Sequence, residues 1–143
     1  MDKQTLRQYR YLVKEIEQLS EAQERLAAGQ LGAVNINDMP KGNSIIHDRM
    51  AETACKMIEL QYIIAERLNK AVAMQIEIER ALDSLEPSER ELMRYRYVDG
   101  LNWNRVTEKL YSDKEDFIDR FESYQRTVYR QHGRVLGKLR RTT

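Results

Sequence analysis

The sequence predicts an all-α protein: a long antiparallel, coiled-coil-like helical hairpin followed by a smaller helical module. Three observations carry this expectation. Two prolines and six glycines interrupt 143 residues that are 41% hydrophobic and 33% charged, a balance that favours helices over turn-rich sheets. Apolar residues recur at three-and-four spacing along two long stretches. Four of those eight breakers (Gly29, Gly32, Pro40, Gly42) fall in one short segment, as expected where a helix stops and the chain reverses. The length suits one domain, or a small module joined to an elongated one.

The first helix is expected from Lys3 to about Ala28, where Leu6, Tyr9, Val13, Ile16, Leu19 and Leu26 line one face. Gly29 to Ser44 reads as the connector. A longer pattern follows from about Ile45 to Leu85, with Met50, Ala54, Met57, Ile64, Leu68, Ala71, Ile78, Leu82 and Leu85 sustaining an apolar stripe. A second apolar row (Ile58, Tyr62, Ala65, Val72, Ile76) exceeds what one partner helix can cover, so self-association is expected. Ser84 to Pro87 interrupts the long helix, because proline disfavours helical geometry in the residue before it and opens a new helix well. The domain boundary is therefore expected near 85/86. Beyond it come a helix from Pro87 to Val98, a turn at Asp99-Gly100, a short helix from Asn102 to Leu110 capped by Asn102, and a basic helix reaching Leu139.

Charge and chemistry narrow the function classes. The formal net charge is only +1, yet Gln125 to Thr143 holds six basic residues and no acidic one, which suits a polyanionic partner. Cys55 is the single cysteine and is expected to be a buried helix residue rather than a reactive thiol. His47 and His132 lack companions at metal-ligand spacing, and the acids between Asp113 and Glu122 read as a solvated helix face, so no metal is expected. There is no Gly-rich phosphate loop, nucleophile elbow or His-Glu metal motif, so neither catalysis nor a cofactor is expected. No apolar run suggests a membrane span or signal peptide, which points to the cytoplasm. Trp103, at the start of a short amphipathic helix, is expected to pack rather than to stack on a base.

The stretch LEPSERELMRYRYVDGLNWNRVTEKL, Leu85 to Leu110, resembles the start of the region-four helix-turn-helix of bacterial sigma factors. SYQRTVYRQHGRVLGKLRR, Ser123 to Arg141, resembles the matching recognition helix, with Ser123 as its cap and Val128, Val135, Leu136 and Leu139 facing inward. Arg126, Arg130 and Arg134 share the outer face, where guanidinium forks read guanine or hold phosphates, and His132 is expected beside that face. Gln125, Thr127 and Tyr129 are the candidates for base contact, and Lys138 and Arg141 complete the expected DNA-binding set. Over nearly the whole chain, DKQTLRQYRYLVKEIEQL, NDMPKG at Asn37 to Gly42, LMRYRYVDG and TVYRQHGRVLGKLR resemble phage and prophage proteins of Gram-positive bacteria related to the ArpU and RinA-type late regulators. That resemblance implies a phage-encoded transcription regulator acting on double-stranded DNA in the host bacterial cytoplasm, assembled as a homo-oligomer, with a dimer favoured, through the hairpin. A terminase small subunit and an adaptor that binds host RNA polymerase are the alternatives.

Tyr111 to Glu122 departs from the family's short connection. Ser112 with Glu115 forms a capping-box pattern that would open an extra helix lined by Phe117, Ile118 and Phe121. Alternatively, Phe117, Phe121, Tyr124, Val128, Val135 and Leu139 share a stripe, which would make Ser112 to Leu139 one continuous helix.

Overall fold

A computed structural model describes residues 1–32 and 43–142. The described chain is all-α, with no strand: α1 Lys3–Gly32, α2 Asn43–Leu82, α3 Pro87–Met93, α4 Trp103–Tyr111 and α5 Phe121–Arg141, with a π-helical turn Arg94–Val98 continuing α3. None of the described helices is long and apolar enough to cross a membrane. Contacts divide the chain into two compact units, Leu12–Ala71 and Met1–Tyr11 with Val72–Thr143.

In the Leu12–Ala71 unit, α1 and α2 run antiparallel. Arg67 Nε donates to Glu15 Oε1 at 3.3 Å and Gln23 Nε2 to Gln61 Oε1 at 2.8 Å, so residues advance along one helix as they recede along the other. Among its described residues, Leu12, Ile64 and Ala71 are the buried apolar ones. Helix α1 continues through Gly29 to Gly32, past the break expected at Gly29. Residues 33–42 of the expected connector, with NDMPKG, lie outside the described residues, and its last two, Asn43 and Ser44, already belong to α2.

Two other expectations are corrected here. Cys55 is exposed, because it stands nine residues from the buried Ile64, about half a turn round the helix at roughly 100° per residue. From the expected buried stripe, Met50, Ala54 and Leu68 are exposed. The second row is exposed as the pattern implied, with Ile58 at 58% and Tyr62 at 74%.

Among the described residues, the second unit buries more apolar side chains. Leu6, Ile78, Leu82, Leu92, Met93, Val106, Val128, Val135 and Leu139 are nearly inaccessible. Helix α2 stops at Leu82, three residues short of the expected Leu85, and Arg90 reaches back to its end. Its guanidinium donates to the carbonyls of Leu82, Asp83 and Leu85 at 3.2–3.4 Å, supplying partners that a helix C-terminus lacks. Pro87 opens α3, and Glu86 and Glu89 form a reciprocal capping box. The π-helical turn closes with Asp99 N–H on the Arg94 carbonyl at 2.8 Å. The Asp99-Gly100 turn follows as expected, with Gly100 at φ 73°, a backbone region that glycine enters without steric cost. Asn102 caps α4 by accepting the Arg105 N–H at 2.9 Å.

Candidate nucleic-acid interface

Residues 112–120 settle the choice left open by the sequence, and against both alternatives. They form a run of turns, neither a helix nor part of one. Lys114 and Phe117 donate their N–H groups to carbonyls three residues back, and Ser112 caps the end of α4 rather than opening a helix. Aromatic contacts hold the run in place. Tyr111 stacks on Tyr124 at 4.8 Å, Phe117 meets Phe121 edge-on at 5.6 Å, and the Tyr124 hydroxyl donates to Asp116. Ile118, expected on a packed side, is 88% exposed. Helix α5 consequently begins at Phe121 with Arg120 before it, so Ser123 lies within the helix and is not its cap.

Helix α5 buries Val128, His132, Val135, Leu136 and Leu139 and exposes Arg126, Tyr129, Arg130, Arg134, Lys138 and Arg141. Arg126, Arg130 and Arg134 are spaced four apart and form one row, because four residues advance only about 40° round a helix. Among the described residues no salt bridge joins any of these three to a carboxylate.

The other expected site residues divide. Gln125 and Thr127 are half-buried. The Gln125 amide donates to Asn104 Oδ1 on α4 at 2.6 Å, and the Thr127 hydroxyl donates to the Ser123 carbonyl of its own helix. Lys138 is held by Glu89 at 2.6 Å, which keeps the Glu89 carboxyl below its ordinary range. Tyr129 is half-exposed, with its ring 5.2 Å from Trp103 in edge contact.

Trp103 organises this end of the unit. The Arg96 guanidinium lies 4.5 Å above its ring, and His132 meets its edge at 4.7 Å, so Trp103 packs, as expected of it. His132 does not lie beside the exposed face: it is 7% exposed, and its Nε2 shares a 2.7 Å hydrogen bond with the Tyr97 hydroxyl. Burial, then the nearby Lys3 and Arg96 charges, lower its pKa from 6.5 to about 4. Its place was visible in the sequence: four residues after Val128 and three before Val135, it sits on the apolar stripe. Asn104 and Arg96, which fasten α5 and Trp103, carry no such signal.

The arrangement presents an arginine row on a helix braced from behind by α4, with the space between the two helices filled by a fastened turn. No group of His, Cys, Asp and Glu able to hold a metal ion occurs among the described residues. Comparison with protein-family models, curated proteins and solved structures finds no match to this chain.

Proposed function

We propose that this chain is a phage- or prophage-encoded, sequence-specific DNA-binding transcription regulator. In this reading α4 and α5 act as a helix-turn-helix, and α5 enters the major groove. The observation that carries it is the row Arg126, Arg130 and Arg134, exposed on a braced helix and joined to no carboxylate by a salt bridge among the described residues. Guanidinium forks at that spacing suit guanine edges and backbone phosphates. The phage assignment rests on the family resemblance alone.

The contacts above support the following roles. Arg126, Arg130 and Arg134 read or clamp the duplex, with Arg141 further along α5 as a phosphate contact. Tyr129, half-exposed at the same end, reaches a base or sugar. Gln125 and Thr127 hold the helix rather than read bases, and Lys138 serves the fold through Glu89. Assembly falls to the Leu12–Ala71 unit, where Cys55, Ile58, Tyr62, Ala65 and Asn69 are all exposed on α2 at alternating spacings of three and four. That is the seam pattern of a coiled coil, and a second copy of this chain is its proposed partner.

The test is selection of bound duplexes from phage-genome fragments, followed by anisotropy titration of the selected site. Arg126→Ala and Arg130→Ala are each expected to weaken specific binding by about 1–3 kcal/mol where the side chain reads a base. Where it holds a phosphate, affinity falls evenly across sequences and the salt slope drops by about one. Unchanged binding in both variants refutes the α5 placement. Selection of a packaging site by a many-membered ring, or retention of host RNA polymerase with no DNA affinity, would replace the regulator reading with one of its alternatives.

A further inference from the structure

A cavity of about 430 Å³ lies in the second unit, bounded by Lys3, Arg7, Arg10, Arg96, Tyr97 and Trp103, with Tyr11 and Gly100 at its edge. Four cations and no carboxylate line it. Among the described residues none of the four takes part in a salt bridge, although Arg94 and Lys138 of the same unit are paired with Glu79 and Glu89. The chain does not lack acids, with 23 against 24 basic residues. Asp2, next to Lys3 in sequence, is taken up by the N–H and hydroxyl of Thr5.

Helix physics does not account for this gathering. Lys3 and Arg7 occupy the first two turns of α1, whose first turn holds no acid, and the N-terminal end of a helix disfavours positive charge. Two of the guanidiniums are set in place beforehand. Arg10 Nη1 donates to the Val98 carbonyl at 3.2 Å, and Arg96 Nη1 donates to the Leu101 carbonyl at 3.0 Å while lying on Trp103. Each fork keeps further N–H donors after that bond. Gly100 permits the arrangement, because a Cβ at that position would stand 2.1 Å from the Arg10 guanidinium. Like charges held together in a part-buried recess repel unless an anion joins them. Arginine forks match the oxygens of a phosphate group in particular.

We infer that this cavity is a binding site for a phosphate group, carried either by a nucleic-acid backbone or by a free phosphorylated small molecule such as a nucleotide. Arg10 and Arg96 form its fixed floor. Lys3 and Arg7, both exposed, close over the ligand, and Trp103 and Tyr11 offer flat apolar surface to whatever the phosphate carries. The site does not depend on α5 reading bases.

Trp103 is the only tryptophan of the chain and lines the cavity, so its fluorescence reports occupancy. The full chain is titrated with pyrophosphate, with adenosine triphosphate and with a short random-sequence duplex, at an ionic strength held constant with chloride, and calorimetry is run on the same samples. The expected result is a saturable signal for at least one of the three, weakened tenfold or more in the Lys3→Ala/Arg7→Ala double variant and retained in Lys70→Ala, which removes an exposed cation of the other unit. A response to pyrophosphate or the nucleotide assigns a small phosphorylated ligand; a response confined to the duplex assigns the nucleic-acid backbone. The inference is overturned if neither method detects binding of any probe. It is equally overturned if the double variant, shown folded by circular dichroism, binds as the parent does, or if Lys70→Ala weakens the signal as far as the double variant does. Unchanged duplex selection in Arg130→Ala is a failure of the α5 reading, whereas unchanged binding of all three probes in the Lys3→Ala/Arg7→Ala variant is a failure of this site.

Discussion

Acidification provides a quantitative test of the packing behind α5. His132 is 7% exposed and bonded to Tyr97, and its pKa is lowered from 6.5 to about 4 in the folded protein. Between those values the unfolded chain holds a proton that the native state refuses, so stability rises with pH across the window and is lost as pH falls through it. At about 1.4 kcal/mol per pKa unit, the displacement amounts to about 3 kcal/mol lost between pH 6.5 and 4. Carboxylates such as Glu89, whose folded pKa is depressed by Lys138, add their own loss as pH drops through the acid range. His132→Gln separates the two effects, because glutamine cannot take the proton yet retains a polar group for the Tyr97 hydroxyl. Urea unfolding at half-unit steps from pH 7.5 to 4 is the assay. The parent is expected to lose about 3 kcal/mol more than the variant over that range. Parallel curves for the two proteins would refute the claim that His132 is held neutral.

Gly100→Ala forces a side chain into a backbone region at φ 73° and against the Arg10 guanidinium, so a loss of about 2 kcal/mol is expected in thermal or urea melts; a melt indistinguishable from the parent's would show that the turn relaxes freely. For the proposed α2 seam, a parallel, in-register pair sets Asn69 against its own copy, whereas an antiparallel pair leaves it facing apolar side chains, an arrangement that strands a polar group. The parallel pair also places Glu59 and Glu66 beside the uncharged Ala54 and Gln61, where the antiparallel pair opposes glutamates. Mild oxidation is therefore expected to link Cys55, the single cysteine, into a covalent dimer in high yield, since parallel seam positions approach within disulfide reach. A dimer by light scattering that fails to cross-link would reverse the orientation, and a monomer would remove the seam altogether. Tyr62→Glu is expected to dissociate the dimer by placing a charge in the seam while leaving the exposed side of α2 folded.

Much of the local structure was legible because it is written in short-range chemistry. Pro87 opens a helix and Asp99-Gly100 turns the chain through backbone preferences that act within a few residues. Asn102 caps α4 for the same reason, and Val128, Val135, Leu136 and Leu139 share a buried face because helical periodicity alone places them there. The all-α class and the exposed second row of α2 follow from the same periodicity. The arginine row was legible too, since Arg126, Arg130 and Arg134 recur at a spacing that needs no tertiary information.

What only the tertiary structure decided depends on partners distant in sequence. Whether 111–122 forms a helix was balanced in its local pattern and was decided by Tyr111, Phe117, Phe121 and Tyr124 meeting across the turns. The contacts that tie Gln125 to Asn104 and Lys138 to Glu89 likewise join residues 21 and 49 positions apart. Cys55 counted as buried on composition, yet the side of α2 that α1 covers in their shared unit is the opposite one. The four-cation cavity joins the start of α1 to residues some 90 positions later, a coincidence in space that neither periodicity nor spacing encodes.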